Sequence, residues 1–362
     1  MKEIVCLSNE PWSTAPGRTQ QLVSRLRDTR VLYFYPAFPQ SLDWRRPGRK
    51  VRPNVTVFAL PPVPEWTLRF PHLFLFAQHR LARLISGQVQ RRRFRAPLLW
   101  TSHPAHVHLL DQLEYDGLVY DCDREWGRLP SRWEGALAHA ADVVFAASPG
   151  LRQRLSPCSE NIALLPNGVS FPLFSRGDLG GTQPLFPGLR GPLLGWAGTL
   201  HADLDLSPLL YAARSCPDWT FLLLGRQEEG SPWPDRLRRL PNVILRGPCP
   251  LLDVPGYLYR CDVLLNFLRA PQDHSDIVPV RLYEYLSTGK PVVSMLWPGQ
   301  VEQFPDVVYG AYSPEELVGM CVQALREDRD WVAGRRRDYG RAAAWSARSG
   351  EVARILETAG LL

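Results

Sequence analysis

Short apolar runs set the frame of this chain. Glu3 to Leu7 and Val31 to Tyr35 are strand-like, and Thr19 to Leu26 between them has helical spacing, so a strand, a loop over Ser8 to Gly17, a helix and a second strand are predicted. Leu98 to Thr101, Gly117 to Tyr120 and Val143 to Ala147 predict further strands, which carries a first sheet to about residue 165. Phe171 to Pro192 is rich in Gly and Pro and lacks a period, as suits a linker. A second series follows: strand Leu193 to Ala197, helix Leu206 to Ser215, strands Thr220 to Leu224 and Val243 to Arg246, helix Val254 to Arg260, and strand Val263 to Phe267. Strands alternating with helices call for open parallel sheets, which hold ligands outside the carboxyl ends of their strands. From Ser313 the pattern is mostly helical, with a terminal helix predicted over Ala342 to Leu356, and no fixed-period repeat is present.

The most informative stretch is Ile277 to Ser294. Pro279 suits a first helical turn, Gly289 a left-handed helix stop, and Val292 to Leu296 a strand buried on both faces. Arg281 and Glu284, three apart, share one helical face near the positive end of the helix dipole. A guanidinium and backbone N–H groups suit phosphates, and a carboxylate suits ribose hydroxyls.

Composition narrows the class. Nearly half the residues are apolar, enough for two cores in 362 residues. The seven cysteines form no CxxC pair, so they are expected to be buried thiols in a reducing cytoplasm rather than a disulfide framework or zinc site. Met1 to Leu7 runs directly into a strand and no apolar run approaches a membrane span, so no signal peptide is expected. Residues 1–110 hold 17 Lys+Arg against 5 Asp+Glu, net +12, and the remainder is −6. Trp66 through Leu110 contains no acid, while Arg69, Arg80, Arg83, Arg91, Arg92, Arg93 and Arg95 alternate with large apolar residues. That segment fits an anionic membrane surface, and equally a core-facing helix with a solvated basic face. With no recognisable binding module, nucleic acid is not expected as a partner.

The pattern Pro-x-Arg-x-x-Glu-Tyr-Leu-x-x-Gly-Lys-Pro-Val-Val resembles the donor-site motif of family-4-like, retaining glycosyltransferases of GT-B fold, where Lys is common at the position of Arg281. Further matches follow in order: Gly17-Arg18, YDCDREW at Tyr120 to Trp126, ADVVFAAS at Ala141 to Ser148, LLPNGV at Leu164 to Val169, LLGWAGTL at Leu193 to Leu200 and PDWTFLLLG at Pro217 to Gly225. The resemblance implies two Rossmann-like α/β domains facing across a cleft: an acceptor-side domain at 1–170, a linker at 171–192, a nucleotide-sugar domain at 193–340, and a terminal helix at 341–362 that crosses back to the first domain.

It also implies roles. Glu284 matches the second of two acids eight apart, and Asp276 stands where the first is usually Glu. Asp276 is then expected at the donor-sugar hydroxyls, Glu284 at the ribose, and Arg281 and Arg226 at the diphosphate. Gly17, Arg18, Gly198, Thr199, Pro279 and Leu282 complete the expected donor contacts. Many members follow the glycine at 198 with an Arg and a Lys; this chain has Leu200-His201-Ala202 instead. His103, with His106 and His108 close by, matches a histidine placed near the reacting sugar. Asp121-Cys122-Asp123 lies where a metal-dependent transferase of the other common fold would bind its metal, and Asp203-Leu204-Asp205 sits at a helix start, where capping is expected. Neither is expected to hold a metal, and no cofactor is expected beside a nucleoside-diphosphate sugar. The implied activity is sugar transfer to a polysaccharide precursor or lipid-linked acceptor, in the cytoplasm or at the inner face of its membrane. A sugar-nucleotide epimerase of the same fold and a non-catalytic sugar-nucleotide or membrane-binding subunit remain as alternatives.

Overall fold

The computed structural model describes residues 1–362 except 14, 39–40, 128, 178–190, 269–275, 296–297 and 328. It divides into two compact units, one of Met1–Pro166 with Trp345–Leu362 and the other of Asn167–Ala344. Most of the segment read as a linker lies outside the described residues; its start carries a short helix over Phe171–Phe174.

Unit 1 is an eight-stranded sheet of β1 (Lys2–Leu7), β2 (Thr29–Pro36), β3 (Arg49–Arg52), β4 (Val55–Leu60), β5 (Leu98–Thr101), β6 (Gly117–Cys122), β7 (Val143–Ala146) and β8 (Ile162–Leu164). Their order is β3-β4-β2-β1-β5-β6-β7-β8, parallel throughout except where β3 runs antiparallel to β4. Ile4 to Leu7 and all of β5 and β6 are buried, as continuous apolar strands of a parallel sheet must be. Helices α1 (Arg18–Val23), α2 (Pro71–Arg91), α3 (Ser131–Ala140) and α4 (Pro149–Leu155) belong to this unit. In α2, Phe74, Gln78, Leu81, Ala82 and Ile85 form the buried stripe, spaced at the helical period.

Unit 2 is a six-stranded, all-parallel sheet of β9 (Leu193–Ala197), β10 (Thr220–Leu224), β11 (Val243–Arg246), β12 (Val263–Asn266), β13 (Val292–Met295) and β14 (Val308–Ala311), in the order β11-β10-β9-β12-β13-β14. Side-chain alternation splits its core in two. Leu193, Leu222, Leu224, Leu264 and Val292 pack on one face with Tyr257, Leu282 and Leu286, whereas Leu194, Trp196, Phe221, Leu265 and Val293 pack on the other with Leu209 and Leu317. Its helices after α5 (Phe171–Phe174) are α6 (Ser207–Ser215), α7 (Trp233–Leu237), α8 (Val254–Arg260), α9 (Val280–Thr288), α10 (Pro298–Val301), α11 (Pro314–Glu327) and α12 (Asp330–Ala342).

The helical pattern at the end of the chain is broken at Ala343 and Ala344. There α12 stops and α13 (Trp345–Thr358) begins, so the predicted helix over Ala342 to Leu356 is the second of two. α13 lies against α1 in unit 1, and the buried Ser349 hydroxyl donates to the Leu22 carbonyl at 3.3 Å. All seven cysteines are free thiols, four of them buried. Among the described residues no helix is long and apolar enough to cross a membrane.

Candidate active site

In unit 2 the chemistry gathers where β9 and β10 end and α9 begins. Pro279, expected inside the first turn, is instead the extended residue that precedes it (φ −68°, ψ 144°), held by the Asn167 side chain, whose Nδ2 donates to the Val278 carbonyl at 3.0 Å. Gly289 ends α9 with φ 81°, the left-handed stop its position suggests. The far end of α9 is gripped by α12: the fully buried Arg336 donates to the Gly289 and Val307 carbonyls at 3.1 and 3.3 Å, and Arg337 to the Thr288 carbonyl at 3.3 Å. These guanidiniums satisfy carbonyls that the helix leaves unpaired and meet its negative pole. The Tyr285 hydroxyl accepts the Ala197 N–H at 2.8 Å and so ties α9 to β9.

Arg281 then reaches across the end of β9. Its guanidinium lies 4.6 Å from the centroid of the Trp196 ring, a cation–π contact with a buried indole. It fits because residue 198 has no side chain: a Cβ on Gly198 would stand 2.9 Å from the guanidinium carbon and 2.9 Å from the ring. Gly225, at φ 141°, is required for the matching reason, since a Cβ there would collide with the Gly198 carbonyl. The Gly198 N–H donates to the Leu224 carbonyl at 2.9 Å, and the Leu200 N–H to that of Arg226 at 2.8 Å, which registers the two strand ends. Thr199 is half-buried there and the Arg226 side chain is exposed.

Glu284, one turn on from Arg281, is half-buried. Burial pushes its carboxyl up to about 7, with Arg281 opposing the shift. Leu282 is a core residue whose N–H donates to the Pro279 carbonyl at 3.0 Å, so its part in α9 is packing. Asp276 precedes the helix and packs against α10, where a Cβ on Gly299 would stand 2.9 Å from its own Cβ. Asp205 accepts the Ser207 N–H at 2.9 Å just before α6, while the N-cap itself is Leu206.

Unit 1 carries its own cluster at the carboxyl ends of β1, β5 and β6. Gly17 is the N-cap of α1, and a side chain there would strike the Glu10 carboxylate. Arg18, the first helical residue, points inward to Asp121 on β6, with Nε and Nη2 both 2.9 Å from Oδ1. Both side chains are buried. Burial raises the Asp121 carboxyl and the Arg18 guanidinium opposes it. Asp123 accepts from Arg124 at 2.9 Å, and Arg124 also donates to Glu10 at 2.7 Å. Both carboxylates of the Asp-x-Asp tripeptide are thus held by guanidiniums, and among the described residues no group of three His, Cys, Asp or Glu is arranged to hold a metal ion.

His103 caps the 3-10 turn Pro104–Gln112, its Nδ1 accepting the Ala105 N–H at 3.2 Å. The proton of the neutral ring therefore sits on Nε2, which is left as a donor. Burial pulls this histidine down to about 4, helped by Arg124 and opposed by Asp123. Its ring stands edge-on to Trp126, centroids 4.6 Å apart. His106 is drawn into a different contact, its Nδ1 2.6 Å from the Thr101 hydroxyl. Glu10, Arg124, Trp126, Trp196 and Tyr285 were not singled out from the sequence; YDCDREW contains two of them. A hollow bounded by Val5, Ile85, Leu99 and Tyr115 lies toward the residues preceding β6, the opposite end of the strands from His103.

Two parallel-sheet units, with glycines and cations at their strand ends, match the chain along its length to solved GT-B structures. Sucrose-phosphate synthase from Thermosynechococcus elongatus superposes with a TM-score of 0.77 at 17% identity, covering 99% of both chains. An α,α-trehalose 6-phosphate synthase from Burkholderia multivorans gives 0.78 at 12%, again over 99% of both. The Anabaena protein HepE, solved with UDP and glucose, gives 0.69 at 17% over 99% of this chain and all of that one. This protein is a glycosyltransferase of GT-B fold. A family model described as glycosyl transferase-like matches residues 207–350. The chain is 27% identical over 273 residues to the Bacillus subtilis protein assigned to teichuronic acid biosynthesis as the glycosyltransferase TuaH, covering 68% of each chain. Both matches are to glycosyltransferases, and the chain is similar to the group 1, family-4-like members.

Proposed function

We propose that the protein transfers a sugar, with retention and without a metal, from a nucleoside-diphosphate sugar to a polysaccharide precursor or lipid-linked acceptor of the cell envelope. The observation that carries the donor half is the placement of Arg281 and Glu284 on the first two turns of α9, with the guanidinium seated at Gly198 against Trp196. Arg281, Arg226 and the N–H groups at the start of α9 neutralise the leaving diphosphate. Glu284 accepts the ribose hydroxyls, and Asp276 holds hydroxyls of the donor sugar. The bond from the anomeric carbon to the diphosphate breaks as the acceptor oxygen bonds to that carbon on the same face, and the acceptor proton passes to the departing phosphate oxygen. His103 donates from Nε2 to the sugar or its phosphate. Uridine is the favoured base, in keeping with the UDP bound to HepE and the UDP-2-fluoroglucose bound to the Escherichia coli trehalose-6-phosphate protein, which matches this fold with a TM-score of 0.74. The relative assigned to teichuronic acid biosynthesis supports a polysaccharide as the product.

Calorimetry with UDP-glucose tests the donor half. Wild type should bind and Arg281→Ala should bind at least about tenfold more weakly, because one charge-assisted contact to phosphate is worth roughly 1.5–3 kcal/mol. Equal affinity for the two proteins would sink the assignment. Release of UDP only when an acceptor is added separates transfer from epimerisation.

A further inference from the structure

The outward face of α2 changes character along its length. Leu73, Phe76 and Arg80, at i, i+3 and i+7, share a face turned away from the buried stripe of Phe74, Gln78, Leu81 and Ile85. A helix that only covers a core carries polar residues on that face. Here the first two turns carry Leu73 and Phe76 instead, and Phe76 is 69% exposed. The 3-10 turn Glu65–Arg69 leading into α2 adds Trp66 and Phe70, both more than half exposed with their rings edge-on at 6.2 Å. Phe38 and Leu42 are also exposed, and Arg80 lies 5.6 Å over the Trp44 ring, which draws the neighbouring turn Asp43–Arg45 alongside α2.

Along this part of the chain the charge is predominantly positive. Residues 38–84 hold eight Lys+Arg against Asp43 and Glu65, net +6, and Asp43 is paired with Arg46 at 3.0 Å. Arg69, Arg80 and Arg83 are exposed beside the tip. Exposed aromatic and aliphatic side chains ringed by guanidiniums match a surface with an apolar interior beneath anionic heads. A second copy of the chain would bring the same positive charge against it.

The other end of α2 is built differently. Arg92 lies 4.4 Å over the Phe58 ring and donates to Gln88 at 2.7 Å, and its carbonyl accepts from Arg30 at 3.0 Å. Arg93 is in the left-handed region at φ 56°. The run Arg91 to Arg93, which the sequence marked for a membrane, ends the helix about 30 Å from its start, taking 1.5 Å per residue.

We infer that unit 1 docks end-on to an anionic lipid surface through the start of α2, with Trp66, Phe70, Leu73 and Phe76 entering the interface, Phe38 and Leu42 flanking them, and Arg69, Arg80 and Arg83 at the headgroups. This surface is independent of the donor-site reading, and its test uses no substrate. The full chain is floated with vesicles of mixed phosphatidylcholine and phosphatidylglycerol, and with phosphatidylcholine alone. Wild type should bind only the mixed vesicles, and more weakly as salt rises. A Phe70→Ser, Phe76→Ser variant and a separate Trp66→Ser variant should each lose about tenfold or more in vesicle affinity, since insertion scales with buried apolar area. All three sites are exposed, so both variants should melt with wild type. Replacing Arg91, Arg92 and Arg93 by Ser should leave vesicle affinity within about threefold, because those charges lie far from the contact. Binding that survives both tip variants, or that is lost only in the triple-arginine variant, overturns the proposal. So does equal binding to phosphatidylcholine alone, or a dimer seen by sedimentation that Phe76→Ser dissolves while no vesicle is bound.

Discussion

The guanidinium of Arg281 rests on the indole of Trp196 in the space that a side chain at position 198 would fill. Trp196 faces the core layer on the far side of the sheet from Leu282, so Arg281 must pass over the end of β9 to reach it. Gly198→Ala should displace that guanidinium and cost ~1–3 kcal/mol, the usual penalty for overpacking. Urea unfolding would show the loss as a lower midpoint with an unchanged slope. Calorimetry would show weakened UDP-glucose binding. An unchanged midpoint together with unchanged binding would mean that Arg281 has another place to go.

Glu284 gives a pH dependence of known sign. Its folded value of about 7 lies above the ordinary 4.5, so between those values the folded state holds a proton that the unfolded state has released. Stability at this site is therefore lost as pH rises through that window. Glu284→Gln is expected to stabilise the protein at pH 8 by roughly 1–3 kcal/mol, discounted because the group is half-buried, and to change little at pH 4. On the ribose role proposed for Glu284, donor binding runs the other way, since the hydroxyls need the ionised form. UDP-glucose affinity of wild type should fall roughly tenfold from pH 8 to pH 6, as expected for one group titrating near 7. In Glu284→Gln it should be weaker and flat across that range, and a sloping profile in the variant would assign the titration elsewhere.

His103 is depressed to about 4, below its ordinary 6.5, so the unfolded chain takes up a proton before the folded one does. The neutral ring's contribution is intact above pH 6.5 and is lost as pH falls toward 4. His103→Gln should flatten the acid side of the stability curve. Proton NMR of the wild-type ring should show no titration between pH 5 and 8; a midpoint near 6.5 would mean that the ring is solvated.

Arg18 and Asp121 form a buried pair in which neither partner is easily spared. Asp121→Asn or Arg18→Met alone should cost about 3–5 kcal/mol, because each leaves a buried charge without its counter-ion. Replacing both together should recover part of that loss. A double-mutant cycle in urea measures the coupling, and strict additivity would mean that the pair contributes nothing as a pair.

Where the chain is apolar and bounded by turns, its elements were legible: β5, β9, β10, β11 and α8 begin and end where the sequence predicts them. Edge structure was not, because Arg49–Arg52 pairs through its backbone and its charged side chains give no alternation to read. The break between α12 and α13 was hidden by alanines that suit a helix on both sides. In the site, Arg281 and Glu284 stood out because charges at a helix start need a reason. Trp196 and Tyr285 did not, since an aromatic residue in an apolar strand or helix reads as core, and both are core as well as supports. Arg18 shows the limit in the other direction, its guanidinium being turned inward to an aspartate 103 residues away.

The placement of α13 bears on how the molecule is made. All eight strands of unit 1 are synthesised before unit 2, yet Trp345–Leu362 belong to unit 1, with Ser349 bonded to the Leu22 carbonyl. The packing of unit 1 around its sheet must wait for Trp345–Leu362 before it is complete, while Asn167–Ala344 can close on itself earlier. Synthesis and completion therefore run in opposite orders, and a chain cut short before Trp345 would lose its stability in the unit farthest from the cut in sequence.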